Sequence, residues 1–167
     1  MKGNKGITLI ALVITIIVLL ILAGVSIAML SGDNSILGNA SKSADYNKIG
    51  EAKDQISLKV SEYVTKFLDA KYNGGDYPDG LTASNSTTDA VNKALAAVKG
   101  DDKVVKGVKV DVKEPKAGTP AQGTEGQEGY VPAVEGEDGS ITVTSGEWHD
   151  TATLTSTGSV SWTGIKK

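Results

Sequence analysis

The chain has 167 residues, a formal net charge of -3, no cysteine and no arginine. The length accommodates one soluble domain and a membrane segment but not two ordinary domains. Without cysteine there is neither a disulfide framework nor a thiolate metal site. Without arginine the preferred bidentate binder of phosphate is missing, and the mildly acidic balance gives no general basic footprint, so nucleic acid is not an expected partner.

The first predicted element dominates the rest. From Ile7 to Leu30 run 24 residues without a charge, sixteen of them Ile, Leu or Val. As a helix this stretch spans roughly 36 Å, slightly more than a bilayer hydrocarbon core. A helix apolar on every face is not what a soluble domain of this size needs. Lys2 and Lys5 precede the segment and Asp33 is the first charge after it, which predicts a cytoplasmic N-terminus and an exported remainder. Three readings fit this segment. One is a cleaved secretory signal with Ser26-Ile27-Ala28 as a small-x-small site, against which the apolar stretch is too long. The second is a plain signal anchor.

The third rests on the junction Lys5-Gly6-Ile7-Thr8-Leu9-Ile10-Ala11-Leu12-Val13. It resembles the prepilin cleavage and methylation motif of type IV pilins and pseudopilins: a short basic leader ending in Gly, then an aliphatic residue, Thr-Leu-Ile, and Leu-Val. The resemblance covers the leader and roughly 25 residues after it, and it stands at the cytoplasmic edge of the apolar segment, where the family has it. It implies that a membrane aspartyl peptidase cuts after Gly6, and that Ile7 becomes the mature, methylatable N-terminus. The apolar helix, with Leu9, Ile10, Ala11, Leu12, Val13, Val18, Leu22, Gly24 and Ala28 among its residues, would then form the core of a filament. The family's usual Glu at the fifth mature position is Ala11 here, so a pairing of carboxylate with a neighbour's amine is not available to set register. Gly24 and Ala28 make a small-xxx-small pair that permits close helix packing.

Past the apolar stretch, Ser31-Gly32-Asp33-Asn34-Ser35 reads as a break with capping residues for a second helix. Ile49, Ala52, Ile56, Val60, Tyr63, Val64, Phe67 and Leu68 recur at three- and four-residue spacing, predicting an amphipathic helix over about 43–72. Residues 73–87 are turn-rich, and by the pilin resemblance such a loop contributes to subunit contacts. A short helix is expected from Thr88 to Val98, with Val91, Ala94, Leu95 and Val98 on one face. Residues 103–113 alternate, Val104, Val108, Val110 and Val112 against Lys109, Asp111 and Lys113, and predict a half-buried strand. Residues 114–139, rich in Gly and Pro, read as a loop or poorly ordered insertion. Ile141–Thr144 reads as a strand, and Thr151–Thr155 with Ser159–Thr163 as a hairpin. Trp148 and Trp162 are expected to anchor on the amphipathic helix, the alternative being a carbohydrate-binding surface. The expected architecture is α+β: a long helix on a small antiparallel sheet spanning about 103–165, which agrees with the pilin fold. The corresponding division is a leader over 1–6, the apolar helix over 7–30, and an exported globular domain over 31–167.

No catalytic set is visible: His149 is the sole histidine, and no glycine-rich phosphate loop lies between a strand and a helix. The chain is therefore not expected to be an enzyme or to need a cofactor. Glu135, Glu137 and Asp138 offer carboxylates to calcium, a site that some pseudopilins carry, although their spacing is not the twelve-residue calcium loop. Lys99, Lys103, Lys106, Lys109, Lys113 and Lys116 cluster, whereas residues 117–150 hold seven acids and no lysine. Such patches suit either a subunit interface or two solvated faces. Asn39-Ala40-Ser41 and Asn85-Ser86-Thr87 match the glycosylation sequon, which has little weight in a pilin-like chain. The leading expectation is a filament subunit, held in the cytoplasmic membrane as a precursor and exposed at the cell surface once assembled. Its partners would be itself, a prepilin peptidase and the pilus assembly machinery. The alternative is a single-pass membrane-anchored binding module outside the cytoplasm.

Overall fold

The computed structural model describes residues 5–31 and 35–167. The leader residues 1–4 and the break at Gly32, Asp33 and Asn34 lie outside the described residues. Four helices and four strands follow in chain order: α1 (Lys5–Leu30), α2 (Ile36–Asn73), α3 (Thr87–Lys99), α4 (Asp102–Val105), β1 (Lys109–Lys113), β2 (Gly139–Ser145), β3 (Trp148–Leu154) and β4 (Val160–Trp162). The fold class is α+β, as the sequence predicts. The chain divides into two units, residues 1–44 and 45–167.

In the first unit, α1 is the apolar segment. It is followed by the start of α2, which Ser35 caps: its hydroxyl accepts from the Gly38 amide at 3.0 Å and its carbonyl from Asn39 at 2.9 Å. A serine just before the helix satisfies amides that have no partner within the first turn. The helix thus begins at Ile36, earlier than the apolar periodicity alone suggested.

The second unit is built on an antiparallel meander, β1-β2-β3-β4. Alternation makes the sheet two-faced: along β2, Ile141 and Val143 are buried while Ser140, Thr142 and Thr144 are half-exposed. The buried face meets Ile49, Ala52, Ile56 and Val60 of α2 and Val91, Ala94, Leu95 and Val98 of α3. Phe67, Leu81 and Ala90 form a second apolar cluster, with Tyr77 tilted against Phe67 at 5.8 Å between ring centroids. The predicted stripe on α2 is the core face, with Tyr63, Val64 and Leu68 at its half-buried margins. Both tryptophans anchor on α2, as expected. Trp148 lies 4.8 Å from Tyr46 between centroids, and Trp162 Nε1 donates to Ser57 Oγ at 3.1 Å.

Two expectations are corrected. The strand predicted over 103–113 begins only at Lys109. Asp101 accepts from the Lys103 amide and starts the single turn α4, from which Val104 reaches the core. Gly107, at φ +76°, then turns the chain into β1. A cap and a left-handed glycine override an alternating pattern, because alternation fixes only the faces of a strand and not its start.

The second correction concerns residues 114–139, which form an antiparallel ribbon and not an unstructured insertion. β1 and β2 pair from Lys109↔Thr144 to Lys113↔Ser140. The same register continues through Lys116↔Glu137, Thr119↔Val134 and Gln122↔Val131, each bridge three residues further along both strands. Glycine makes the close approach possible: a Cβ on Gly118 would stand 2.5 Å from the Val134 carbonyl oxygen, and one on Gly136 2.7 Å from that of Lys116. Neither clash is tolerable against backbone. Low apolar content hid this ribbon, because its bonds are backbone to backbone and leave no side-chain periodicity.

Candidate functional site

The candidate site is the surface of α1. From Leu9 to Leu30 it is long and apolar enough to cross a membrane, a property that an anchor and a signal sequence share. Its large side chains are exposed: Leu9, Leu12, Val18 and Leu22 are 65%, 60%, 47% and 57% exposed. Ile10, Ala11, Val13 and Ala28 are exposed as well, and nothing lies within 4 Å of a Cβ placed on Gly24. Gly6 and Ile7 fall in the first turns of the helix.

Two hydroxyls of α1 bond to carbonyls of the helix itself. Thr15 Oγ1 donates to the Leu12 carbonyl and Ser26 Oγ to the Leu22 carbonyl, each at 2.8 Å. Such back-bonding is what a hydroxyl does where water is scarce, since an unpaired donor in an apolar medium costs several kcal/mol. From Leu9 to Leu30 the helix presents an aliphatic surface in which the Thr15 and Ser26 hydroxyls are both bonded. Exposing it to water costs on the order of 1.5 kcal/mol per large side chain.

The predicted charged residues behave differently. Glu137 pairs with Lys116 across the ribbon at 2.9 Å, and that hydrogen bond and charge hold its carboxyl below the usual range. Glu135 and Asp138 are exposed. Among the described residues no three His, Cys, Asp or Glu side chains converge as a metal requires, so the structure does not gather Glu135, Glu137 and Asp138 into one set. Of the acids over 117–150, Glu147 pairs with Lys167 at 2.6 Å and Asp150 with Lys53 at 2.5 Å. The charge segregation is therefore partly answered inside the chain. His149 lies half-buried on β3, and its backbone exchanges two hydrogen bonds with Lys166, each 2.8 Å. Asn85 serves the turn before α3, where its side-chain oxygen accepts from the Thr82 amide at 2.8 Å.

The sequence reading missed the Lys53–Asp150 pair and its surroundings. Asp150 has no exposed surface, and its second oxygen accepts from the Gly164 amide at 3.0 Å and from Thr163 Oγ1 at 3.2 Å. The Lys53 ammonium also sits 5.1 Å from the centre of the Trp162 ring. Ninety-seven residues separate the ion-pair partners, and no local signal links them. No protein-family model, no curated protein and no solved structure matches this chain.

Proposed function

We propose that the chain is a structural subunit of the pilin type, which polymerises through α1 into a filament outside the cell. The observation that carries this reading is that one chain holds both an exposed aliphatic helix, Leu9–Leu30, and an α+β domain of helix on antiparallel sheet. The junction Gly6-Ile7-Thr8-Leu9-Ile10 supports it, standing where a prepilin peptidase reads its substrate. The precursor sits in the cytoplasmic membrane with its N-terminus inside. On leaving the bilayer, α1 has only a bundle of like helices in which to keep its surface dry, so extraction and assembly are coupled. With Ala11 in place of a carboxylate, helix packing and the rest of the subunit must set the register.

The test is substitution of Val18 or Leu22 by Asp in the full-length chain, expressed with its assembly machinery. Surface fibres should be lost while the domain stays folded, because a charge in the bundle core has no partner. The reading is overturned if the unsubstituted chain, after cleavage, remains in the membrane as a monomer and never enters sheared fibres. That outcome would favour a membrane-anchored binding module.

A further inference from the structure

The β1–β2 hairpin has two differently charged ends. The ribbon extends it past Lys113 and Gly139, whereas Lys103 and Lys106 precede Gly107 at the end marked by Lys109 and Ser145. From Lys109 to the last bridge at Gln122 the hairpin rises roughly 40 Å, at about 3.3 Å per residue. Glu125 and Glu128 stand in the turn beyond that bridge, and Glu135 and Asp138 on the returning strand. All four are exposed, and none has an ion-pair or hydrogen-bond partner among the described residues. Lys99, Lys103 and Lys106 are exposed as well and without an ion-pair partner among the described residues; Asp101 and Asp102 lie between them, but Asp101 is paired with Lys59 at 3.5 Å, so the stretch keeps a net positive charge. The ribbon also presents Val131 and Val134, 51% and 61% exposed. Glu137 and Lys116, which could have blurred this polarity, neutralise each other.

The acidic tip cannot fold back onto the basic end of its own hairpin, because the paired strands hold the two apart. Ribbon against ribbon would bring like charges together, which excludes a symmetric contact through the tips. What remains is tip to base, a heterologous contact that can repeat from copy to copy along a filament. We propose that the ribbon of one copy seats on the Lys99–Lys103–Lys106 surface of a second copy, Glu125 and Glu128 facing the lysines and Val131 and Val134 supplying the apolar part. This rests on the polymer reading above and gives it a register that Ala11 does not supply.

The absence of native cysteine allows a direct test in the full-length chain, in membranes that hold the assembly machinery. Glu128→Cys combined with Lys103→Cys should yield a ladder of disulfide-linked multimers under copper–phenanthroline. The yield should exceed that of Glu128→Cys with Thr153→Cys about tenfold, since a docked pair raises the effective thiol concentration. Salt at roughly 0.5 M should weaken the ladder through screening. In the cysteine pair, Glu125→Lys should reduce the ladder, and Lys106→Glu added to it should restore it. Fibres without the ladder overturn this inference and leave the polymer standing. A ladder without fibres supports the contact and overturns assembly through α1. Absence of both overturns both.

Discussion

Lys53 Nζ lies 2.5 Å from Asp150 Oδ2 and joins the middle of α2 to β3 through a carboxylate that solvent does not reach. Burial by itself would raise the Asp150 carboxyl. The hydrogen bond and charge of Lys53, with help from Thr163 and the Gly164 amide, outweigh burial and hold it below the usual range. Removing the cation leaves a buried charge unpaired. Lys53→Met should therefore destabilise the domain by about 3 kcal/mol, the low end for such pairs because Lys53 is partly exposed. Lys53→Met with Asp150→Leu should recover most of that loss, since no charge then remains to be solvated. Urea unfolding of a fragment of residues 33–167, followed by far-UV circular dichroism, measures both. Equal losses in the single and double variants would show that the pair acts by packing alone.

A pH dependence follows. Asp150 has a depressed folded pKa, and so does Asp89, which accepts foremost from the Ser86 amide at 2.7 Å. Both groups bind a proton more readily when unfolded. Their contribution is present above the unfolded carboxyl value of about 3.9 and fades as pH falls through the lower folded values. Stability should thus drop below about pH 4. Asp150→Asn should flatten that part of the profile, measured by thermal melts from neutral to acid pH. An unchanged slope in that variant would remove Asp150 from the account.

Ser86 and Asp89 cap α3 reciprocally, the Ser86 hydroxyl accepting from the Asp89 amide at 3.2 Å. Ser86→Ala should cost about 1 kcal/mol, and Ser86→Asp much less, because aspartate caps as well as serine. α3 carries Val91, Leu95 and Val98 into the core, so the loss should appear in global unfolding and not as local fraying. Chemical denaturation separates the two outcomes.

Gly118→Ala should open the ribbon without unfolding the domain. Its Cβ would clash with the Val134 carbonyl, but the ribbon contributes no residue to either apolar cluster. Amide exchange at Thr119, Gln122, Val131 and Val134, whose N–H groups all bond across the ribbon, should quicken while that of Ile141 and Val143 stays slow. Uniform protection in the variant would mean that the two strands can shift to admit a methyl group.

Processing is the sharpest test of the junction. The mature protein should begin at Ile7, and Gly6→Leu should leave the precursor uncut, both read by intact mass. A mature N-terminus at Met29 would mean ordinary secretion instead.

What the sequence determined by itself was whatever depends on local periodicity. Sixteen aliphatic residues without a charge define α1, and the spacing from Ile49 to Phe67 defines the buried face of α2. Alternation from Ile141 to Val143 marks the core side of the sheet, and Trp148 and Trp162 were legible as anchors because large amphipathic rings need a partner surface. The candidate surface on α1 was legible too, since it is a matter of composition. Tertiary structure decided the rest. Lys53 finds Asp150 only once α2 lies on the sheet, and Ser145 finds Asp45 Oδ1 at 2.8 Å for the same reason. The ribbon over 116–137 was invisible because glycine and backbone hydrogen bonds hold it, and neither leaves a hydrophobic pattern. Local patterns record which face a residue shows, whereas pairing between distant segments depends on where the chain returns, and no short window contains that information.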